Sequence, residues 1–155
     1  APQVLDGGFD DDLERLFLAA REGDPLELAR LADRAGPFRL ADVISSSSAS
    51  ADHRRSAIMA LAFVDDVSPA IEALTAMAVG SDGALASAAL GSLVQATERR
   101  RPVEDWAPDS YRWCAEALLT YLARVSEPPR RQLLIRTLRQ LAERDAVAPD
   151  RIPSQ

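Results

Sequence analysis

An all-α fold is predicted by three properties of this sequence. The chain is 47% apolar but only 5% aromatic, so Leu, Ala, Val and Ile must fill its core. Ala and Leu lose little freedom in a helix, and β-branched residues are scarce. Apolar residues recur at helical spacing in segment after segment, with capping residues and prolines between them, and alternating strand patterns are missing. A length of 155 residues fits one domain with a substantial core.

The first helix is read from DDDLERLFLAAREG, where Leu13, Leu16, Phe17 and Ala20 form one apolar stripe. Asp10, Asp11 and Asp12 open it, where the helix dipole favours negative charge. In DPLELARLADRAG, Asp24 caps, Pro25 takes the first turn, Glu27 completes a capping-box pattern and Gly36 ends the helix. Residues 9–36 thus form a first hairpin, its aspartates suited to cap one end of the molecule. PFRLADVI (Pro37 to Ile44) is a short third helix. Ser45 to Ser50 reads as a flexible connection, with regulation by phosphorylation as the alternative.

The fourth helix, DHRRSAIMALAFV, turns Ile58, Leu61 and Ala62 inward. Ser68 caps the fifth, Pro69 starts it, Ile71, Leu74 and Ala78 form its stripe, and Gly80 closes it. Asp82 opens the sixth, which contains ALASAALGSLVQA (Ala84 to Ala96). The two prolines of RRRPVEDWAPD (Arg99 to Asp109) break the chain. The seventh helix buries Tyr111, Cys114, Leu118, Tyr121, Leu122 and Val125, and the eighth places Leu134, Leu138, Leu141 and Ala142 on one face. Residues 109–145 form the last hairpin, and residues 146–155 read as a disordered tail. The expectation is about eight helices in four antiparallel hairpins.

AIMALAFVD (Ala57 to Asp65) aligns with ASAALGSLV (Ala86 to Val94) at an offset of one helical hairpin, matching Ala60 to Ala89, Leu61 to Leu90 and Ala62 to Gly91. SAALGSL resembles the second helix of a HEAT repeat, and Arg54 stands before Ala57 as an arginine often does in that family. The resemblance is clearest over residues 51–97, within a repeat region of 37–97. Gly83 departs from it, standing where an arginine is expected. The resemblance implies a short α-solenoid, in which each hairpin buries its face on the next. It also accounts for the small side chains, since Ala and Gly permit close helix packing. A compact helical bundle is the alternative, because the 99–109 break can reset the phase.

Little points to catalysis, and no cofactor is expected. One histidine and one cysteine cannot make a nitrogen/sulfur metal site, and no HExxH, GxSxG, Walker or GxGxxG pattern occurs. His53 reads as a helix-start residue, Cys114 as a small core hydrophobe, and the Asp65–Asp66 pair as a solvated cap. A lone cysteine and the lack of a long apolar run or signal segment predict a reducing, cytoplasmic setting without a membrane span. The first residue, Ala1, suggests a piece of a longer protein, expected to be bacterial, with a processed protein as the alternative.

The formal charge is −6, with about −7 on residues 1–77 and +1 on the rest. That balance disfavours nucleic acid and suits a protein partner presenting a basic patch or peptide. The resemblance implies a non-catalytic interaction scaffold or adaptor, with second helices lining a concave face. It directs attention to Arg55, Gln95, Arg136 and Arg139. Arg99, Arg100, Arg101 and Trp106 are further candidates, because Arg and Trp are enriched in binding hot spots; Trp106 folding back over helix ends is the competing reading. Arg136 and Arg139, with Glu143, equally fit a solvated face. A chromophore-lyase-type or small-molecule-binding protein is the alternative function, and end-to-end self-association is a third reading.

Overall fold

In the computed structural model, which describes residues 11–98 and 108–154, the chain is all-helical. Seven α-helices and no strands occur among the described residues: α1 (Asp11–Ala19), α2 (Pro25–Ser45), α3 (Ala51–Ala60), α4 (Ile71–Ala78), α5 (Gly83–Glu98), α6 (Pro108–Leu122) and α7 (Pro128–Ala142). The expected second and third helices are the two arms of α2. They meet without a loop because Gly36 takes φ 78 and ψ 164, a left-handed conformation that glycine adopts at little cost, and Pro37 starts the next arm at once. Asp24 caps α2 by accepting the Leu26 N–H at 3.0 Å, and Glu27 lies 3.4 Å from Arg30.

Other boundaries shift from expectation for local reasons. The Ser45–Ser50 connection is a hydrogen-bonded turn: Ser46 Oγ lies 2.9 Å from Ser48 Oγ, and Ser50 caps α3 by accepting the His53 N–H at 3.1 Å. Arg54 reaches back from α3 to the Ser46 carbonyl and pins the turn. α3 then tightens into a 3-10 turn at Leu61–Phe63. Ser68 is not a cap. Asp66 accepts the Ser68 N–H at 3.0 Å, and a 3-10 turn, Ser68–Ala70, leads into α4. Asp82 does cap α5, accepting the Leu85 N–H at 3.1 Å.

The end of the chain is a correction. Residues 146–154 do not trail away: Ala146 and Val147 are buried, Ile152 packs on the core, and Pro149–Arg151 forms a 3-10 turn. Arg151 grips Glu116 of α6 through both carboxylate oxygens, at 2.5 and 3.0 Å. Two apolar residues and one bidentate pair fasten the segment.

Packing centres on α5, which touches α3, α4 and α7. More than half of its circumference is buried, with Leu85, Leu90, Leu93 and Val94 alternating with Ala86, Ala89, Ser92 and Ala96. The small residues let neighbouring backbones come close, as Ser92 shows: its Oγ donates to the Ile58 carbonyl of α3 at 2.7 Å. Gly91 does not share this role. A Cβ added there meets nothing within 4 Å, so the glycine is not needed for close packing. α2 packs on α1, α3 and α4, and α6 on α4 and α7, so one continuous core runs from Leu13 to Val147.

Substitution within α5 separates these cases. Gly91→Ala is expected to raise stability by about 0.5–1 kcal/mol, by removing glycine's backbone freedom in a helix interior. Ala89→Leu, at a fully buried position, is expected to cost about 1–3 kcal/mol through overpacking. Urea unfolding of both variants checks the two signs.

Candidate functional site

The sequence of α7, PPRRQLLIRTLRQLA, holds four arginines and no acidic residue in a chain of net charge −6. Leu134, Ile135, Thr137, Leu138 and Leu141 face inward. Two of the arginines serve the fold. Arg131 donates from Nη1 to the Leu122 and Val125 carbonyls, both at 2.8 Å, and so closes the C-terminal end of α6. Arg130 donates to the Tyr121 hydroxyl at 3.1 Å and to the Gly83 carbonyl at 3.4 Å, bridging α6 and α5.

The outer face of α7 forms one side of an open groove of about 800 Å³, lined among others by Gln132, Ile135, Arg136, Arg139, Gln140 and Glu143. Pro128 and the nearly buried Ile135 add apolar surface. Arg136 is held by Glu98 at the end of α5, with N···O distances of 2.7 Å. Arg139 is exposed and donates to the Ser154 carbonyl at 3.4 Å, a long contact. A second hollow of about 470 Å³ adjoins it, sharing Arg139, Glu143 and Ser154 and adding Pro149 and Ile152 from the returning chain end.

Of the residues singled out from the sequence, Arg136 and Arg139 therefore meet in one groove. Arg55 on α3 and Gln95 on α5 are exposed and are not among its lining residues. Arg99, Arg100, Arg101 and Trp106 lie outside the described residues. Gln132, Ile135 and Gln140 were missed. For the two glutamines the signal was the i, i+4, i+8 row Gln132, Arg136, Gln140 on the polar side of the helix.

His53 does more than start a helix. Its Nδ1 lies 2.9 Å from Ser50 Oγ, its Nε2 lies 3.0 Å from Glu14 Oε2 on α1, and its ring stacks on Phe17 with centroids 4.8 Å apart. The ring thereby clamps α1 to α3. Cys114 is buried in the core, and burial pushes its thiol up to about 11 against the opposing Thr75 hydrogen bond. A thiol so held is not a nucleophile at neutral pH. Arg151 holds the exposed Glu116 carboxyl below the usual carboxylate range by hydrogen bonding.

Among the described residues, no cluster of three or more His, Cys, Asp or Glu is placed to hold a metal ion. Among the same residues, no helix is long and apolar enough to cross a membrane. Comparison with family models, with curated proteins and with solved structures returns no match.

The buried thiol sets an alkaline pH dependence. Its pKa is raised in the folded state, so unfolded chains ionise first, and the contribution to stability is complete below the unfolded pKa near 9 and lost as pH rises towards about 11. Tyr111, raised mainly by burial and opposed by Ser68 and Arg144, adds to the same decline. Denaturant unfolding between neutral and strongly alkaline pH is expected to show stability falling through this window. The fall should be shallower in Cys114→Ala.

Proposed function

We propose that this chain is a non-catalytic protein–protein interaction module built as a short HEAT-like stack. The observation that carries this reading is the neighbour pattern of the helices. α2, α4 and α6 touch in succession, α3, α5 and α7 touch in succession, and α2/α3, α4/α5 and α6/α7 also pair. Such a ladder is what stacked hairpins produce. Two further facts support a binding role over chemistry: the only histidine is engaged with Glu14, Ser50 and Phe17, and the only cysteine is buried.

In this reading the second helices α3, α5 and α7 present Arg55, Gln95, Arg136 and Arg139 to a partner. The chain acts as an adaptor, at work in the cytoplasm. The acidic first half suits a partner surface with basic groups, where complementary charge speeds encounter more than it strengthens binding.

The chain contains no lysine, so amine-reactive cross-linking cannot report the contact face. Capture from lysate followed by hydroxyl-radical footprinting of the purified complex can. The expected result is a stoichiometric protein partner that protects side chains on α3, α5 and α7. Protection confined to α2, α4 and α6, or no stoichiometric partner, contradicts the reading.

A further inference from the structure

We propose that the groove along α7 binds an extended, acidic peptide segment of a partner. The inference rests on the interaction-module reading and names the chemistry of what that module holds.

Charge is the first argument. α7 carries four arginines and no acid, while the chain as a whole is at −6 and α1 begins with Asp11, Asp12 and Glu14. Three of these arginines, Arg131, Arg136 and Arg139, line the groove against one acid, Glu143, so it carries local positive charge on an acidic molecule, and attraction of a carboxylate there runs against the protein's overall field. Arg139 is the arginine best placed to act. It is exposed, and its contact to the Ser154 carbonyl is long, so its guanidinium can take up a carboxylate with little cost to the fold. Arg136 is already oriented by Glu98, and its side chain remains 59% exposed, so it offers a second, positioned donor.

Shape and lining are the second argument. The groove follows α7 from Pro128 to Glu143, and at about 1.5 Å per residue that is roughly 22 Å of helix. An extended chain rises about 3.3 Å per residue, so about seven residues fit. A peptide backbone in such a groove needs donors and acceptors along its length. Gln132 and Gln140, two turns apart and both lining the groove, supply an amide with both functions at each end. Pro128 and the small exposed edge of Ile135 add apolar contact beside the polar groups. A compact anion has no use for this length or for the paired amides.

The test is fluorescence anisotropy with a fluorescein-labelled heptapeptide of alternating glutamate and glycine, beside the same peptide with lysine for glutamate. The glutamate peptide is expected to bind and to weaken as salt is raised. Arg139→Glu is expected to weaken it by roughly tenfold or more, and Gln132→Ala with Gln140→Ala to weaken it further. Unchanged circular dichroism and melting temperature establish that the variants are folded. A glutamate peptide that binds no better than the lysine peptide, or binding indifferent to both groove variants, overturns the inference. Sedimentation velocity adds a separate outcome: self-association lost in both Arg139→Glu and Asp11→Asn/Asp12→Asn makes the occupant a second copy, which also overturns it. A partner that footprints on α3, α5 and α7 while the glutamate peptide fails leaves the interaction module standing and removes only its acidic ligand.

Discussion

The close burial of α5 against three other helices is the constraint on which the rest of this fold depends. A helix contacted by α3, α4 and α7 together cannot carry bulky side chains on every inward position, since helix axes approach to about 8–10 Å. The Leu/Ala alternation on α5 resolves this. Leu90 and Leu93 are fully buried and fill volume, while Ala86 and Ala89 admit a neighbour. Ser92 then fixes the register of α5 on α3 through a buried hydrogen bond to the Ile58 carbonyl. A hydroxyl at a helix contact is costly unless it finds such a partner, so the bond specifies one arrangement among several that apolar packing alone would tolerate.

The first and last described segments are fastened differently. At the start, α1 is fastened by Leu13 and Phe17 in the core, by His53 meeting Glu14, and by Arg34 meeting Asp12 at 2.9 Å. At the other end, the chain returns over α6 through Arg151 and Glu116 and contributes Ser154 to the rim of the α7 groove. The groove therefore depends on the last residues as well as on α7. The arginines of α7 divide between two tasks. Arg130 and Arg131 satisfy hydroxyl and carbonyl groups of the fold, and Arg136 and Arg139 face outward. Arginine suits both, because its fork of donors can close a helix end or meet a carboxylate.

Much of the helical order was legible from spacing and capping. Asp24 and Asp82 cap as their positions imply, Gly36 breaks α2, and the stripes Leu13–Phe17–Ala20 and Leu134–Leu138–Leu141 are buried. These are local signals, set by residues within one turn of each other. What escaped notice depends on distant partners. Nothing near Ser92 announces Ile58, and nothing near His53 announces Glu14, 39 positions away. The tail was misjudged for the same reason: the carboxylate that holds Arg151 lies on another helix. Gly91 shows the opposite error. A glycine among small residues looked like a packing device, yet it faces open space. For the groove, Arg136 and Arg139 were legible as exposed cations, whereas the amides and Ile135 gained meaning only once the helix faced a concavity.

Native-state hydrogen exchange tests most directly whether α5 organises the fold. If it does, the amides of Leu90, Leu93 and Val94 exchange only through global unfolding, with the same denaturant dependence as the whole molecule, while α1 and the 46–50 turn open at lower free energy. Exchange of the α5 amides through small local openings, ahead of α3 and α7, would contradict the central place given to that helix.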